Sequence, residues 1–159
     1  MPANVFVDSN ICLYVHDKRH AKFLAAKTIL ESNPLISTQV ILENINVCLK
    51  KFKQTKSFAL AHAKSLQQAC TVLPITNSTM TKAMIVFERY GYSIFDSLII
   101  ASALEAGCKT LYSEDLHHGQ VIEASSLSSI RFFPSLSCSL RFNNISPLSL
   151  YALSYVHHV

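Results

Sequence analysis

The stretch YSIFDSLIIASALEAGCKTLYSEDLHHGQ, residues 92–120, leaves few folds open to this chain. Ile94, Phe95, Leu98, Ile99, Ile100, Ala101, Ala103, Leu104 and Ala106 leave hardly any polar face, which predicts a helix buried on most sides. Ser93 is its expected N-cap, and Asp96 three residues later would complete a capping-box arrangement. Gly107 stands where a left-handed helix terminus favours glycine. Thr110, Leu111 and Tyr112 then read as a short inner strand running into Ser113, Glu114 and Asp115. A buried helix followed by a strand that ends in carboxylates is how an open α/β sheet builds a site at its carboxyl edge. Asp96 and Asp115 are therefore candidate site residues. Each also has a purely local reading, because an acid in the first turn of a helix suits the helix dipole and an Asp after a strand is ordinary turn chemistry.

The rest of the chain supplies the sheet. Asn4 to Val7 is short, apolar and β-branched, and it ends at Asp8-Ser9-Asn10. As an inner strand it delivers Asp8 to the same crevice as Asp115, although Asp8, Ser9 or Asn10 would each also cap a following helix. His20 to Ser32 reads as a helix stopped by Asn33-Pro34, and Leu35-Ile36 as a minimal second strand. Ser37 or Thr38 then caps a helix with Ile41, Leu42, Ile45, Cys48 and Leu49 on one stripe. Glu43 lies nearly opposite that stripe, with Asn46 and Lys50, and periodicity leaves open whether this face meets bulk water or a polar cleft. Lys56 to Ala69 predicts a further helix and Thr71 to Pro74 a third strand. Asn77 to Tyr90 predicts another helix, capped by Asn77 or Ser78 and ended by Gly91. Short strands alternating with helices argue for a parallel sheet flanked by helices.

Composition narrows the function classes. The 159 residues suit one domain with a substantial core, half of them apolar. No run of eighteen apolar residues occurs, so no membrane span is expected, and MPANVFVDSN does not read as a secretory signal. Cys12, Cys48, Cys70, Cys108 and Cys138 are odd in number and form no CxxC pair, as expected for buried thiols in a reducing cytoplasm. The seven histidines include no HExxH, and His117–His118 is the one pair near the suspected site. With only Gly91, Gly107 and Gly119 there is no dinucleotide-binding GxGxxG, and Asn10 stands where a haloacid-dehalogenase-type phosphatase needs a second Asp. The formal charge is +4, with the densest basic cluster in KKFKQTK, residues 50–56, which reads either as a phosphate-contacting patch or as a solvated helix end. From Ala124 the chain turns Ser- and Leu-rich and carries no acid. Residues 1–123 and 124–159 are therefore treated as separate segments.

On this topology Asp8, Asp96 and Asp115 meet at one sheet edge, with Glu43 a possible fourth. Two carboxylates about 4 Å apart repel by about 4 kcal/mol at an effective dielectric near 20. Protonation relieves that, and so does a hard divalent cation; all-oxygen ligation selects Mg²⁺ or Mn²⁺ over zinc. Mg²⁺ shares its shell with phosphate oxygens, so the matching substrate is a phosphate ester.

VFVDSN, Glu43 within TQVILEN, FDSLIIASALEAGC and LYSEDLHHGQ occur in the order and spacing of PIN-domain ribonucleases, and the chain most resembles VapC-like toxins of bacterial toxin–antitoxin pairs. The resemblance spans residues 1–123. It implies a three-layer α/β/α fold with a central parallel sheet, an acidic Mg²⁺ or Mn²⁺ pocket, and hydrolysis of single-stranded RNA without a covalent nucleophile. It also implies a cognate antitoxin and a homodimer. Asp8, Glu43, Asp96 and Asp115 resemble the family's four metal acids, while Asn10 and Ser113 match polar positions that hold the first aspartate. Glu114 is expected to be a neighbour and not a ligand, because its side chain should point away from that of Asp115 if the strand continues this far. Lys50, Lys51, Lys53 and Lys56, read as continuing the Glu43 helix, are candidates for RNA backbone contacts. The alternative function is a catalytically impaired PIN-like module that binds protein, its final strand replaced by the unusual C-terminal segment.

Overall fold

In a computed structural model of the chain, the residues described are 5–16, 18, 22–116, 121–125 and 128–133. Strand β1 (Val5–Val7) lies at the centre of the sheet. It pairs in parallel with β2 (Leu35–Ser37) on one side and β4 (Thr110–Tyr112) on the other, with Val7 opposite Tyr112. Strand β3 (Thr71–Leu73) extends the sheet beyond β2, again in parallel. Beyond β4 come β6 (Ser128–Phe133), parallel to it, and β5 (Val121–Ser125), antiparallel to β6, so the order is β3-β2-β1-β4-β6-β5.

The chain steps outward from β1 to β2 to β3, then returns to place β4 on the far side of β1. Right-handed crossovers put the helices of those two directions on opposite faces. The first direction carries α1 (Ser9–Leu13), a 3₁₀ turn (Tyr14–His16), α2 (Phe23–Glu31), α3 (Thr38–Lys50) and α4 (Lys56–Ala69). The return carries α5 (Asn77–Tyr90) and α6 (Ile94–Glu105). Helix α1 packs on α2 and α3, and α3 on α4, while α5 and α6 pack on each other. The result is the expected three-layer α/β/α arrangement. Its topological switch point falls between β1 and β4, where ligands of open α/β sheets bind.

The core is built from Phe6, Val7, Ile36 and Leu111 of the strands with Ile11, Val40, Ile99 and Ile100 of the helices, all essentially inaccessible. Every residue of α6 from Ser97 to Leu104 is buried, as its unbroken apolar sequence predicts. Its first turn departs from that pattern: Ile94 and Phe95 are exposed, and the carbonyl of Phe95 accepts a hydrogen bond from Gln39 on α3 instead of entering the core. Gly107 has φ +70°, a left-handed conformation that strains any residue with a Cβ, and it ends the α6 turn as expected.

Three local expectations need correction. On α3 the buried residues are Gln39, Val40, Ile41, Asn44 and Cys48, whereas Leu42 is 66% exposed. The inward stripe is thus rotated toward Val40 and Asn44 and includes two amides, a choice that apolar periodicity cannot anticipate. Helix α5 is capped by Thr76, one residue before the expected Asn77 or Ser78, because Thr76 and Thr79 bond reciprocally in a capping box. The expected lysine continuation of α3 ends at Lys50. Lys51 and Lys53 lie in the connection to α4, Lys53 with φ +53°, and Lys56 opens α4.

Strands β5 and β6 carry the sheet past Ala124, and β6 supplies β4 with an outer parallel neighbour. Residues 134–159, Cys138 and the His117–His118 pair lie outside the described residues. Cys12, Cys48, Cys70 and Cys108 are buried free thiols. No helix among the described residues is long and apolar enough to cross a membrane.

Candidate functional site

Strands β1 and β4 end side by side, so the next residue of each, Asp8 and Ser113, emerges at the switch point. The Asp8 amide donates to the carbonyl of Tyr112 at 3.0 Å, extending the ladder by one residue. Asp8 is also the N-cap of α1: its Oδ1 accepts from the Ser9 amide at 2.6 Å. The other oxygen, Oδ2, accepts from the Ser113 hydroxyl at 2.6 Å. The capping reading of Asp8 is therefore realised, by the same side chain that reaches Ser113 across the switch point. Ser113 Oγ accepts in turn from the Asp115 amide at 3.3 Å, and Asn10 Nδ2 donates to Asp115 Oδ2 at 3.1 Å. One short network links Asp8, Ser113, Asp115 and Asn10 across the switch point.

The two acids from the helices flank this network. Asp96 sits in the first turn of α6, where its amide donates to Ser93 Oγ at 3.1 Å and its Oδ2 accepts from the same hydroxyl at 2.7 Å. This is a side-chain version of the expected capping box. Glu43 on α3 is half-buried, which answers the question periodicity left open, and its Oε1 accepts from Gln39 Nε2 at 2.7 Å. The same Gln39 nitrogen donates to the Phe95 carbonyl at 3.1 Å, tying α3 to the α6 turn that presents Asp96. Gln39 is a positioning residue that sequence reasoning missed. Its signal was its place four residues before Glu43 on one helix face.

Electrostatics single out Asp8. It is 5% exposed, and its carboxyl is pushed up to about 6. Burial is the largest cause; the hydrogen bonds from Ser113 and Ser9 oppose it, and the charges of Glu43 and Asp96 add to it. Asp8, Glu43 and Asp96 are thus close enough to repel, while Asp115 joins them through Ser113 and Asn10. Among the described residues no Lys, Arg or His pairs with any of the four acids. Two more oxygens are left wanting, for Asn10 Oδ1 and Gln39 Oε1 are buried without a hydrogen-bond partner. The rim is rich in hard oxygen donors and short of positive charge, which is the donor set that fits Mg²⁺ or Mn²⁺.

Glu114 pairs with Lys22; β4 ends at Tyr112, so strand alternation does not set its direction. Together with Asn10, Leu13, Tyr14, His16 and Lys51, Glu114 lines a cavity of about 550 Å³ that opens beside the site. Of the four candidate lysines, Lys51 alone is among the residues lining this cavity; Lys50, Lys53 and Lys56 are exposed.

No curated protein sequence matches the chain. Solved structures do. A Mycobacterium tuberculosis VapC20 toxin, described as cleaving the sarcin–ricin loop, superposes with a TM-score of 0.57 at 21% identity, covering 67% of this chain and 86% of its own. A DNA-bound VapBC from Salmonella typhimurium gives 0.59 at 16% identity over 83% of this chain and 98% of its own. A promoter-DNA complex of VapBC2 from Rickettsia felis gives 0.52 at 19% identity over 69% and 86%. At these identities the likeness is one of fold. The sequence pattern of the PIN domain matches residues 5–123, well over half of the chain, and the protein belongs to the PIN-domain family.

Proposed function

We propose that the protein is a metal-dependent endoribonuclease that hydrolyses phosphodiester bonds of single-stranded RNA, the toxin of a toxin–antitoxin pair. The observation that carries this reading is the state of Asp8: a buried carboxyl raised to about 6 beside Glu43 and Asp96, with no cationic side chain among the described residues to relieve it. A divalent ion held by Asp8, Glu43, Asp96 and Asp115 relieves it, and when bound it supplies charge neutralisation at the phosphate and a more acidic water. The side chains do the positioning. Ser113 and the Ser9 amide fix both oxygens of Asp8, Asn10 orients Asp115, Ser93 orients Asp96 and Gln39 orients Glu43. None of them is a covalent nucleophile, so the attacking group is water.

RNA as substrate is supported by the family and by the sarcin–ricin-loop cleavage attributed to the Mycobacterium neighbour. An antitoxin partner is supported by neighbours that are toxin–antitoxin complexes, and a homodimer by family resemblance. The proposed nuclease unit is residues 1–123 and the segment 124–159 differs from it in composition, although β5 and β6 continue the same sheet as far as Phe133. Lys50, Lys51, Lys53 and Lys56 are assigned to the RNA backbone. Replacing all four by Ala should flatten the salt dependence of RNA affinity, by a slope of roughly 0.7 for each phosphate that is no longer neutralised. An unchanged slope would remove them from the interface.

The direct test is cleavage of a mixed single-stranded RNA pool with Mg²⁺, Mn²⁺ or EDTA. Cleavage that requires the ion and disappears in Asp96→Asn is the expected result. A folded protein that neither cuts RNA nor responds to either ion would instead be the impaired protein-binding module.

A further inference from the structure

His16, in the 3₁₀ turn after α1, meets Cys48 of α3 and His62 of α4 in a second group of ligating side chains that the acidic rim does not use. The ligating atoms of His16, Cys48 and His62 lie within 4.8 Å of one another. Among the described residues this is where three metal-ligating side chains come closest; the rim acids do not gather as tightly. Cys48 is fully buried and His62 nearly so. The two imidazoles meet edge to face with centroids 4.0 Å apart, and the Phe58 ring covers His16 at 5.0 Å.

Hydrogen bonding fixes the tautomer of His62. The Asn44 amide nitrogen donates to the Val40 carbonyl at 2.9 Å and the Ser9 carbonyl at 3.3 Å, so Asn44 Oδ1 must face His62 Nε2, 2.8 Å away, as an acceptor. Nε2 therefore carries the proton and Nδ1 keeps a free lone pair. On the other ring, His16 Nε2 is buried without a hydrogen-bond partner. The cluster thus presents a buried thiol, an imidazole with a free lone pair and an imidazole nitrogen left unused.

We propose that His16, Cys48 and His62 form a three-ligand site for a divalent transition cation of the zinc type, separate from the acidic rim. Two imidazoles and a thiolate are borderline-soft donors that favour zinc over magnesium. Asn44 is the carbonyl partner that orients a ligating histidine through its other nitrogen. Bonds of about 2.0 Å to nitrogen and 2.3 Å to sulfur put tetrahedral ligand atoms about 3.5 Å apart, so atoms already within 4.8 Å of one another need close by no more than about 1.3 Å on loading. Cys48 gives its proton to solvent as the sulfur–metal bond forms. The cavity of about 550 Å³ that His16 also lines provides the entry path and room for water as fourth ligand. The bound ion fastens the segment that begins at Asp8 to α3, which carries Glu43, and to α4.

The test is Co²⁺ titration of the full-length, reduced, metal-stripped protein. One equivalent should bind tetrahedrally, with a near-ultraviolet thiolate-to-cobalt charge-transfer band that Zn²⁺ then abolishes. Cys48→Ser should remove that band, Asn44→Ala should weaken binding about 10- to 100-fold, and Asp96→Asn should leave both unchanged. Should Cys48→Ser not fold, His16→Gln, at a position less buried than Cys48, must weaken binding at least about tenfold. A folded wild type with no charge-transfer band, a band that survives Cys48→Ser, or affinity unaltered by His16→Gln would overturn the proposal.

Discussion

Asp8 and Glu105 are both carboxylates at helix ends, and they titrate in opposite directions. Glu105, at the end of α6, accepts from Ser78 Oγ at 2.8 Å, from Lys82 Nζ at 2.9 Å and from Thr79 Oγ1, and is held down to about 2, first by Thr79, then by Lys82 and Ser78. It fastens α6 to the start of α5 and has nothing left to bind. Asp8 also accepts hydrogen bonds, from Ser9 and Ser113, yet burial and the charges of Glu43 and Asp96 push it up to about 6. The difference is first one of burial, which raises Asp8 and hardly touches Glu105, and then of the Lys82 cation that Glu105 has and Asp8 lacks. A carboxylate satisfied within the fold is an internal tie; one left short of positive charge at a sheet edge is where we propose that an ion from outside binds.

The largest expected effect on that contrast is in catalysis. Asp96→Asn removes one rim charge while keeping its shape and should lower RNA cleavage by at least about 100-fold. Glu105→Gln removes an equal charge elsewhere on α6 and should leave turnover unchanged. Equal losses in the two variants would erase the distinction between site and tie.

Stability should move in opposite senses. Asp8 has a folded value above its unfolded 3.8. Its contribution is therefore fully present below about pH 4 and lost as pH rises through about 6. Each tenfold change in proton affinity is about 1.4 kcal/mol. Metal-free Asp8→Asn should thus be more stable than wild type at pH 7 by up to about 3 kcal/mol, a gap that closes toward pH 4. Urea denaturation of both proteins across that range checks it, and comparing the pair cancels the separate titration of His62, which burial and His16 lower to about 4.

Glu105→Gln should show the smallest change. Its folded value lies below its unfolded one, so its stabilisation is present above about pH 4.5 and fades as pH falls through about 2. Because the group is solvent-accessible, the loss at pH 7 should stay under about 1 kcal/mol, readable as a shift in the urea midpoint.

Much of this was legible in the residues. The unbroken apolar run of α6, the glycine after it and the alternation of short β-branched segments with helices are local signals, and each led to an element the structure contains. The ends of β1 and β4 placed Asp8 and Ser113 together because a parallel pair in register must do so. What stayed hidden depends on contacts across the sequence. Leu42 is exposed and Asn44 buried because Asn44 has partners on α1 and α4, in Ser9 and His62. Periodicity could not decide whether Glu43 meets water or a cleft, because nothing in its own helix shows that α6 lies beside it, bridged by Gln39. The His16–Cys48–His62 cluster draws on three separate elements and has no motif spacing to reveal it.

The most direct measurement is thermal denaturation of metal-free protein titrated with Mn²⁺, for wild type, Asp8→Asn and Glu105→Gln, all carrying Cys48→Ala to silence the nitrogen–sulfur cluster. An ion that binds only the folded state adds about 2.7 kcal/mol at 100 times its Kd. Wild type and Glu105→Gln should gain stability together, and Asp8→Asn should gain little or none. An Asp8→Asn protein stabilised as strongly as wild type would contradict the assignment of the ion to the Asp8 rim.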